Sequence, residues 1–469
     1  MRHPVDFFGV GRVPYMARRN YLIEIRHLLM WGVFAGTFEG SVSSVVAAKT
    51  FHADWFLITL VMSTPMVANL MGLLWGRIAA GRRKRPLFMV FALATALMIG
   101  SIALAPAGPA GGWVFVAQIL LARMMLSGCL TVRAGLWKHN YPQVFRGRIA
   151  ARLQLVRFSM GIATVTAVSL LFDMDPLIYT MIYPVAAAVG MISVLALRPM
   201  HVRGERLELR RAAETAAGVA AADRDGLLAS MIRVLRGDRA FARYCLAMML
   251  IGSANMMIMP VLTIIVTRQL YLSYFHSCNL LEVLPRALMM GSLMPWAALF
   301  DRVGAVRFRC VNGAVWASAT VFGGIGAAVL EYAGVDSAVG FPVMLAAIAL
   351  ATLTQGLGRG GGAIAWNLGH LHFAEPDKTD IYMGIHVTLA GLRGLAAPFM
   401  GTALYAWFGW PAFGVAFVFA LSGVMVFRSL ARAERRTGGC DRATTADAAL
   451  PAGPGRTGSA CTAANGEVR

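Results

Sequence analysis

Residues 82–133 read RRKRPLFMVFALATALMIGSIALAPAGPAGGWVFVAQILLARMMLSGCLTVR. Four basic residues open the stretch, and no Asp, Glu, Lys or Arg follows from Pro86 until Arg123. A turn at Pro106-Ala-Gly-Pro109 divides the uncharged run into two blocks. Each is about as long as an α-helix must be to cross a hydrocarbon core about 30 Å thick. Two such helices satisfy their backbone donors and acceptors internally, as lipid demands.

The same alternation continues in both directions. Apolar blocks bounded by charges or Gly/Pro turns predict spans over 27–48, 55–75, 86–106, 112–133, 152–172 and 177–197. After a polar interval come 243–266, 275–299, 309–330, 340–364, 382–404 and 409–428. The expected organisation is a six-helix bundle over 1–197, a basic linker over 198–242, a second six-helix bundle over 243–430, and a disordered tail over 431–469. Within the linker, DGLLASMIRVLR at 225–236 has apolar residues at helical spacing with basic ones between, which predicts an amphipathic helix at the membrane surface. The tail is rich in Ala, Gly and Thr and poor in large apolar residues, so little surface is available to offset its ordering entropy.

Composition agrees. Of 469 residues, 58% are hydrophobic and 14% charged, whereas soluble domains carry about 25% charged residues. The net charge of +20 does not imply a nucleic-acid partner, because the basic residues sit in short clusters between apolar blocks. With the N-terminus in the cytoplasm, Arg77, Arg82, Arg83, Lys84, Arg85, Arg146, Arg148 and Arg152 fall on the inner face. So do the linker arginines and Arg302, Arg307 and Arg309. The outer face receives Lys49 and Arg268, beside the acids Asp54, Asp173, Asp175, Glu331 and Asp336. This asymmetry predicts an even number of spans, with both termini cytoplasmic. Six scattered cysteines, with no CxxC pair, read as small buried hydrophobes. Arg18, Arg19, Glu24 and Arg26 read as a cytoplasmic lead-in to a retained first helix.

Two loops carry a short signature. Asp301-Arg302-Val303-Gly304 lies between the eighth and ninth spans. Between the second and third, a degenerate copy runs Gly72, Gly76-Arg77, Gly81-Arg82-Arg83, with Gly76 where an acid is expected. Arg157-Phe-Ser-Met-Gly161 in the fifth span is echoed by Arg393-Gly394 and Pro398-Phe-Met-Gly401 in the eleventh, as duplicated halves should show. On these loops, and on two groups of six spans joined by a basic linker, residues 20–430 resemble the major facilitator superfamily. That resemblance implies an all-α polytopic fold of twelve helices in two pseudo-repeated six-helix bundles. It implies a monomeric secondary carrier of a small solute, without cofactor or enzymatic activity, for which a bacterial inner membrane is the expected site. It also implies that helices one, four, seven and ten line a central cavity, while three, six, nine and twelve face lipid. Asp301 is then expected to meet the start of the fifth helix, near Arg148 and Arg152, and to hold the inner face shut.

Charges inside the spans point to function. Glu39 lies in helix one, Arg123 in four, Glu282 and Arg286 in eight, Arg359 in ten, and His386 and Arg393 in eleven; helices three, six, nine and twelve have none in their interiors. Each Glu or Arg costs about 2.5–3.5 kcal/mol at mid-membrane on insertion scales, so such residues belong where they face protein or water. Glu39, Arg123, Asn255 and Arg359 are the pathway candidates. Arg359 lies in Gly356-Leu-Gly358-Arg359-Gly360-Gly361-Gly362, a run expected to weaken the helix and bring backbone near a ligand. Glu282 and Arg286 are spaced to neutralise one another, and Arg157 and Arg393 are expected to tie the halves together. The excess of arginine over glutamate points to an anionic substrate. Glu39 is the candidate proton carrier, because a low-dielectric cavity favours the neutral carboxyl. His370, His372, Glu375 and Asp377 have tempting spacings, but no companion ligand or acyltransferase signature accompanies them. They read as a loop, and no metal is implied. The alternative to a carrier is a transport-inactive relative acting as a membrane receptor or scaffold, which the altered first signature loop would fit.

Overall fold

The computed structural model describes residues 9–205, 207, 209–210, 227–369, 372–373 and 379–448. His370, Glu375 and Asp377 lie outside them, as does the tail beyond Ala448. Among the described residues there is no strand. Among these residues ten helical segments are long and apolar enough to cross a bilayer, and the chain is an integral membrane protein.

The expected first span, 27–48, is two helices. Helix α1 (Tyr15–Gly36) stops, residues 37–41 turn, and α2 (Val42–Lys49) follows. The stop has a local cause, since Gly40 adopts φ +69°, a conformation that costs an L-residue about 1–2 kcal/mol. The Glu282 carboxylate also presses against the space a Cβ would fill there. Because α1 begins at Tyr15, the supposed lead-in is helix, and Glu24 is buried within it. Its carboxylate accepts from Trp137 Nε1 at 2.8 Å and from Tyr141 Oη at 2.7 Å. The second span is likewise divided at Met71, into α3 (Trp55–Leu70) and α4 (Gly72–Ala79).

Then come α5 (Lys84–Gly100), α6 (Pro109–Asn140), α7 (Gln143–Met174) and α8 (Tyr179–Leu195). In the linker, α9 (Leu227–Gly237) occupies the segment read as amphipathic. Helix α10 (Arg239–Ile264) ends in a π-helical turn, Ile265–Gln269. The eighth span starts as α11 (Tyr274–Cys278), passes through a π-helical turn at Asn279–Val283, and continues as α12 (Leu284–Val303). Helices α13 (Ala305–Ala333), α14 (Gly340–Leu368), α15 (Thr379–Phe408) and α16 (Pro411–Ala448) complete the chain. Helix α16 therefore runs on into the tail expected to be disordered from residue 431. Once a helix is nucleated in the bilayer, each added residue needs only propagation, and Ala and Arg, frequent here, are strong helix formers.

Packing in the first part of the chain recurs in the second. Helix α1 packs on α7 and α8 as α10 packs on α15 and α16. Helix α5 packs on α6 and α8 as α13 packs on α14 and α16, and α3 packs on α6 as α12 packs on α14. The two parts meet where α3 lies along α15 and where α7 meets α11.

Hydrogen bonds between the two parts gather at the end opposite the basic loops. The Asp173 carboxylate accepts the Tyr274 and Phe275 N–H groups at 2.6 and 3.0 Å. Lys49 Nζ donates to the Leu272 carbonyl at 2.8 Å, and Arg268 donates to the Ala53 carbonyl at 2.5 Å. The Thr50 hydroxyl lies 2.9 Å from Tyr274 Oη, and the Phe172 and Tyr274 rings stack 5.2 Å apart. The two parts are held together at this face. Gly40→Ala should lower the unfolding temperature of the purified protein, because it adds both left-handed strain and a clash with Glu282. Gly76→Ala, where a Cβ meets open space, should leave it unchanged.

Candidate functional site

The break in the first span and the π-turn in the eighth face each other near the middle of the bundle. Ser41, at the start of α2, donates its backbone N–H to Glu282 Oε2 at 3.0 Å. An extra residue in a helical turn redirects the side chains around it, and such turns are frequent at functional sites. Here the π-turn holds Glu282, which is buried and ion-paired with Arg286. The i, i+4 pair expected from spacing forms, but Glu282 also crosses to the other part of the chain.

Glu39, one residue before Gly40, is buried and ion-paired with Arg157 of α7. Arg157 was expected to bridge the two halves; its ion pair stays within the first part. A carboxylate and a guanidinium desolvated together are each other's cheapest counter-ion. Arg123 on α6 donates to the Phe38 carbonyl at 2.9 Å, with its guanidinium 5.2 Å from the Phe38 ring centre. The turn at 37–41 thus frees carbonyl and amide groups that a continuous helix would consume, and two buried charges use them.

These groups border a chamber of about 330 Å³. Its charged lining is Arg123, Glu282, Arg286 and Arg359, three cations against one anion. Arg359 on α14 donates to Met259 Sδ at 2.9 Å, a weak acceptor for a guanidinium. Nε of Arg123 is buried and makes no hydrogen bond. The remaining walls are Val61, Met62, Pro65, Phe158, Met259 and Met289, with Gly40 and Ser41 at the helix break.

Several sequence expectations are corrected here. The glycine run around Arg359 does not weaken α14, which is continuous from Gly340 to Leu368. Its glycines serve packing: a Cβ at Gly356 would strike the Pro285 backbone, one at Gly358 would strike the Trp316 ring, and one at Gly361 would meet Asn312. Arg393 lies away from the chamber and does not tie the two parts together. It donates to the Met248 carbonyl at 2.6 Å in the space that Gly252 leaves by lacking a Cβ. His386 is buried nearby, its ring 4.5 Å from that of Trp366. Asn255 is on α10 but is not part of the chamber lining. Arg309, read as a loop charge at the start of helix nine, is buried inside α13, where it donates to Asn312 Oδ1 at 3.0 Å.

The signature loops stand apart. Asp301 and Arg302 are exposed, and no hydrogen bond or ion pair joins Asp301 to Arg148 or Arg152. Arg152 instead donates to the Gly9 carbonyl at 3.1 Å. Arg77 is exposed as well, and nothing would touch a Cβ at Gly72, Gly81 or Gly304. The expected inner latch does not form; at the end of the first signature loop the Lys84 amide instead donates to the Glu205 carboxylate at 2.7 Å. Gly304 has a separate structural duty, turning α12 into α13 at φ +77°. Among the described residues no cluster of three metal-binding side chains occurs, and the four free cysteines, Cys129, Cys245, Cys278 and Cys310, form no disulfide.

The helix break and the Glu282–Ser41 contact were missed from sequence. The available signal was Glu39-Gly40-Ser41 in the middle of an apolar block, where an acid, a flexible residue and a capping residue occur in succession.

No protein family matches the chain by sequence, and no curated protein matches it. Solved structures do. A mutant of the nucleoside transporter NupG aligns at TM-score 0.62 and 12% identity, covering 88% of this chain and 99% of the other. The xylose transporter XylE from E. coli, in an inward open conformation, aligns at 0.60 and 10% over 88% and 96%. A POT family transporter in complex with 5-aminolevulinic acid aligns at 0.59 and 11% over 90% and 98%. At such low identities the likeness speaks for architecture, and architecturally this membrane protein has the fold of the major facilitator transporters.

Proposed function

We propose that the chain is a secondary carrier of a small organic anion, working by alternating access. Its twelve spans form two six-helix bundles joined by the 198–242 linker, in a bacterial inner membrane with both termini cytoplasmic and as a monomer. The matching helix-neighbour pairs in the two parts support the repeat, since duplicated bundles rocking about a midplane site are how such carriers work. The observation that carries the anion reading is the chamber itself, where three guanidiniums face one carboxylate and two of them rest on weak or single acceptors. Buried guanidiniums want carboxylate or phosphate, and a substrate anion would supply it. With the basic loops inside, the face where the two parts are bonded is periplasmic, and the chamber is read as that of an inward-facing state. The free Asp301 loop fits that state, because a latch on the inner face has to open for release.

The nucleoside, xylose and POT family transporters that share the fold support transport as the general activity, and they leave the cargo open. Reconstituted into liposomes, the protein should catalyse substrate-dependent flux, whereas a receptor or scaffold would bind without flux. Arg359→Ala should lower apparent affinity for the transported anion by about tenfold or more, the scale of a lost charge-assisted hydrogen bond. Unchanged uptake would defeat the assignment.

Proton coupling, the role proposed for Glu39, requires its carboxyl to leave Arg157 and take up a proton during the cycle. Flux by Glu39→Gln should then lose its pH dependence. A wild-type pH profile in that variant would remove the role from Glu39.

A further inference from the structure

The chamber's walls narrow the cargo beyond its sign. Every guanidinium at the site sits beside an apolar or soft group. Arg359 touches Met259, Arg286 lies 5.6 Å from the Phe158 ring centre, and Arg123 covers Phe38. Three methionines and a phenylalanine face the same space. Neutral hydrogen-bonding groups are nearly missing from it. The one neutral polar side chain in the lining is Ser41, whose hydroxyl donates to the Leu281 carbonyl at 3.3 Å and whose amide is used by Glu282. A polyhydroxylated substrate would leave most of its own hydroxyls unmatched, and each desolvated, unpaired polar group opposes binding. A small hydrated inorganic anion would satisfy the arginines and leave the thioether and ring surfaces wet.

Resting on the anion reading above, we infer that the chamber binds amphipathic organic anions: a compact aromatic or short aliphatic body carrying a carboxylate. The carboxylate takes guanidinium donors that now rest on Met259 and the Phe38 carbonyl. The body displaces water from Met62, Met259, Met289 and Phe158. A volume of about 330 Å³ lies at the lower end of the range of small-molecule sites. Methionine walls repack around different shapes, so the selectivity is for a class, set by charge and apolar volume.

The full chain in nanodiscs, with empty nanodiscs correcting for partition into lipid, can be titrated with benzoate and its para-methyl, ethyl and butyl derivatives. Inorganic phosphate, citrate, xylose and uridine serve as comparison probes, and thermal stabilisation and direct binding are the readouts. The alkylbenzoates should stabilise the protein, with affinity rising about fourfold per methylene until the body outgrows the chamber. Met289→Ser should flatten that chain-length dependence. Arg359→Ala should weaken the whole series alike. Binding of phosphate or citrate without the alkylbenzoates would overturn the amphipathic class and leave the anion carrier standing. Binding of xylose or uridine with no anion would overturn both. No shift with any alkylbenzoate, or affinities indifferent to chain length, would also sink the inference.

Discussion

A charge inside a hydrocarbon slab has to be met by an opposite charge, a backbone dipole or water, and this protein meets much of that demand around one chamber. Glu39 takes Arg157, Glu282 takes Arg286, and Arg123 takes a carbonyl freed by the break in the first span. Each such residue would cost about 2.5–3.5 kcal/mol if it faced lipid, and together they would rival the stability of a typical domain. Gathered around a central chamber, they are solvated by one another and by the space between them. The helices are arranged so that this can happen.

Two departures from regular helix make the gathering geometrically feasible. The turn at residues 37–41 exposes the Phe38 carbonyl and the Ser41 amide in mid-bundle, a placement of irregular backbone tolerated in membranes only where protein or water satisfies it. The π-turn at Asn279–Val283 aims Glu282 at that amide. Gly40 lets the carboxylate approach where any side chain would block it. The arrangement is mutual, since the broken helix needs an acceptor for its free N–H and the buried carboxylate needs a donor. Positive charge nonetheless stays in excess around the chamber, with three guanidiniums against one carboxylate, and on the proposed function a substrate anion balances it.

The joint at the other end has a different character. Asp173 on the Tyr274 and Phe275 amides and Lys49 on the Leu272 carbonyl are partly exposed contacts, beside the buried stack of Phe172 on Tyr274. Hydrogen bonds of this kind contribute about 0.5–1.5 kcal/mol each, enough to favour one state without locking it.

Sequence by itself determined the membrane class, the helical makeup, the approximate spans and the charges that border the chamber. All of these follow from local chemistry: apolar length, charge clustering and the expense of Glu or Arg in lipid act segment by segment. Tertiary structure decided who partners whom. Glu39 and Arg157 are 118 positions apart, and Ser41 and Glu282 are 241 apart, so no spacing rule could join them. Arg393 looked like an equal of Arg157 in the repeat, yet it ended on the Met248 carbonyl because Gly252 left room. The glycines around Arg359 looked like a site for ligand, and close approach of Pro285, Trp316 and Asn312 turned them into packing. A charge announces from sequence that it needs a partner, but only the fold brings a particular partner within reach.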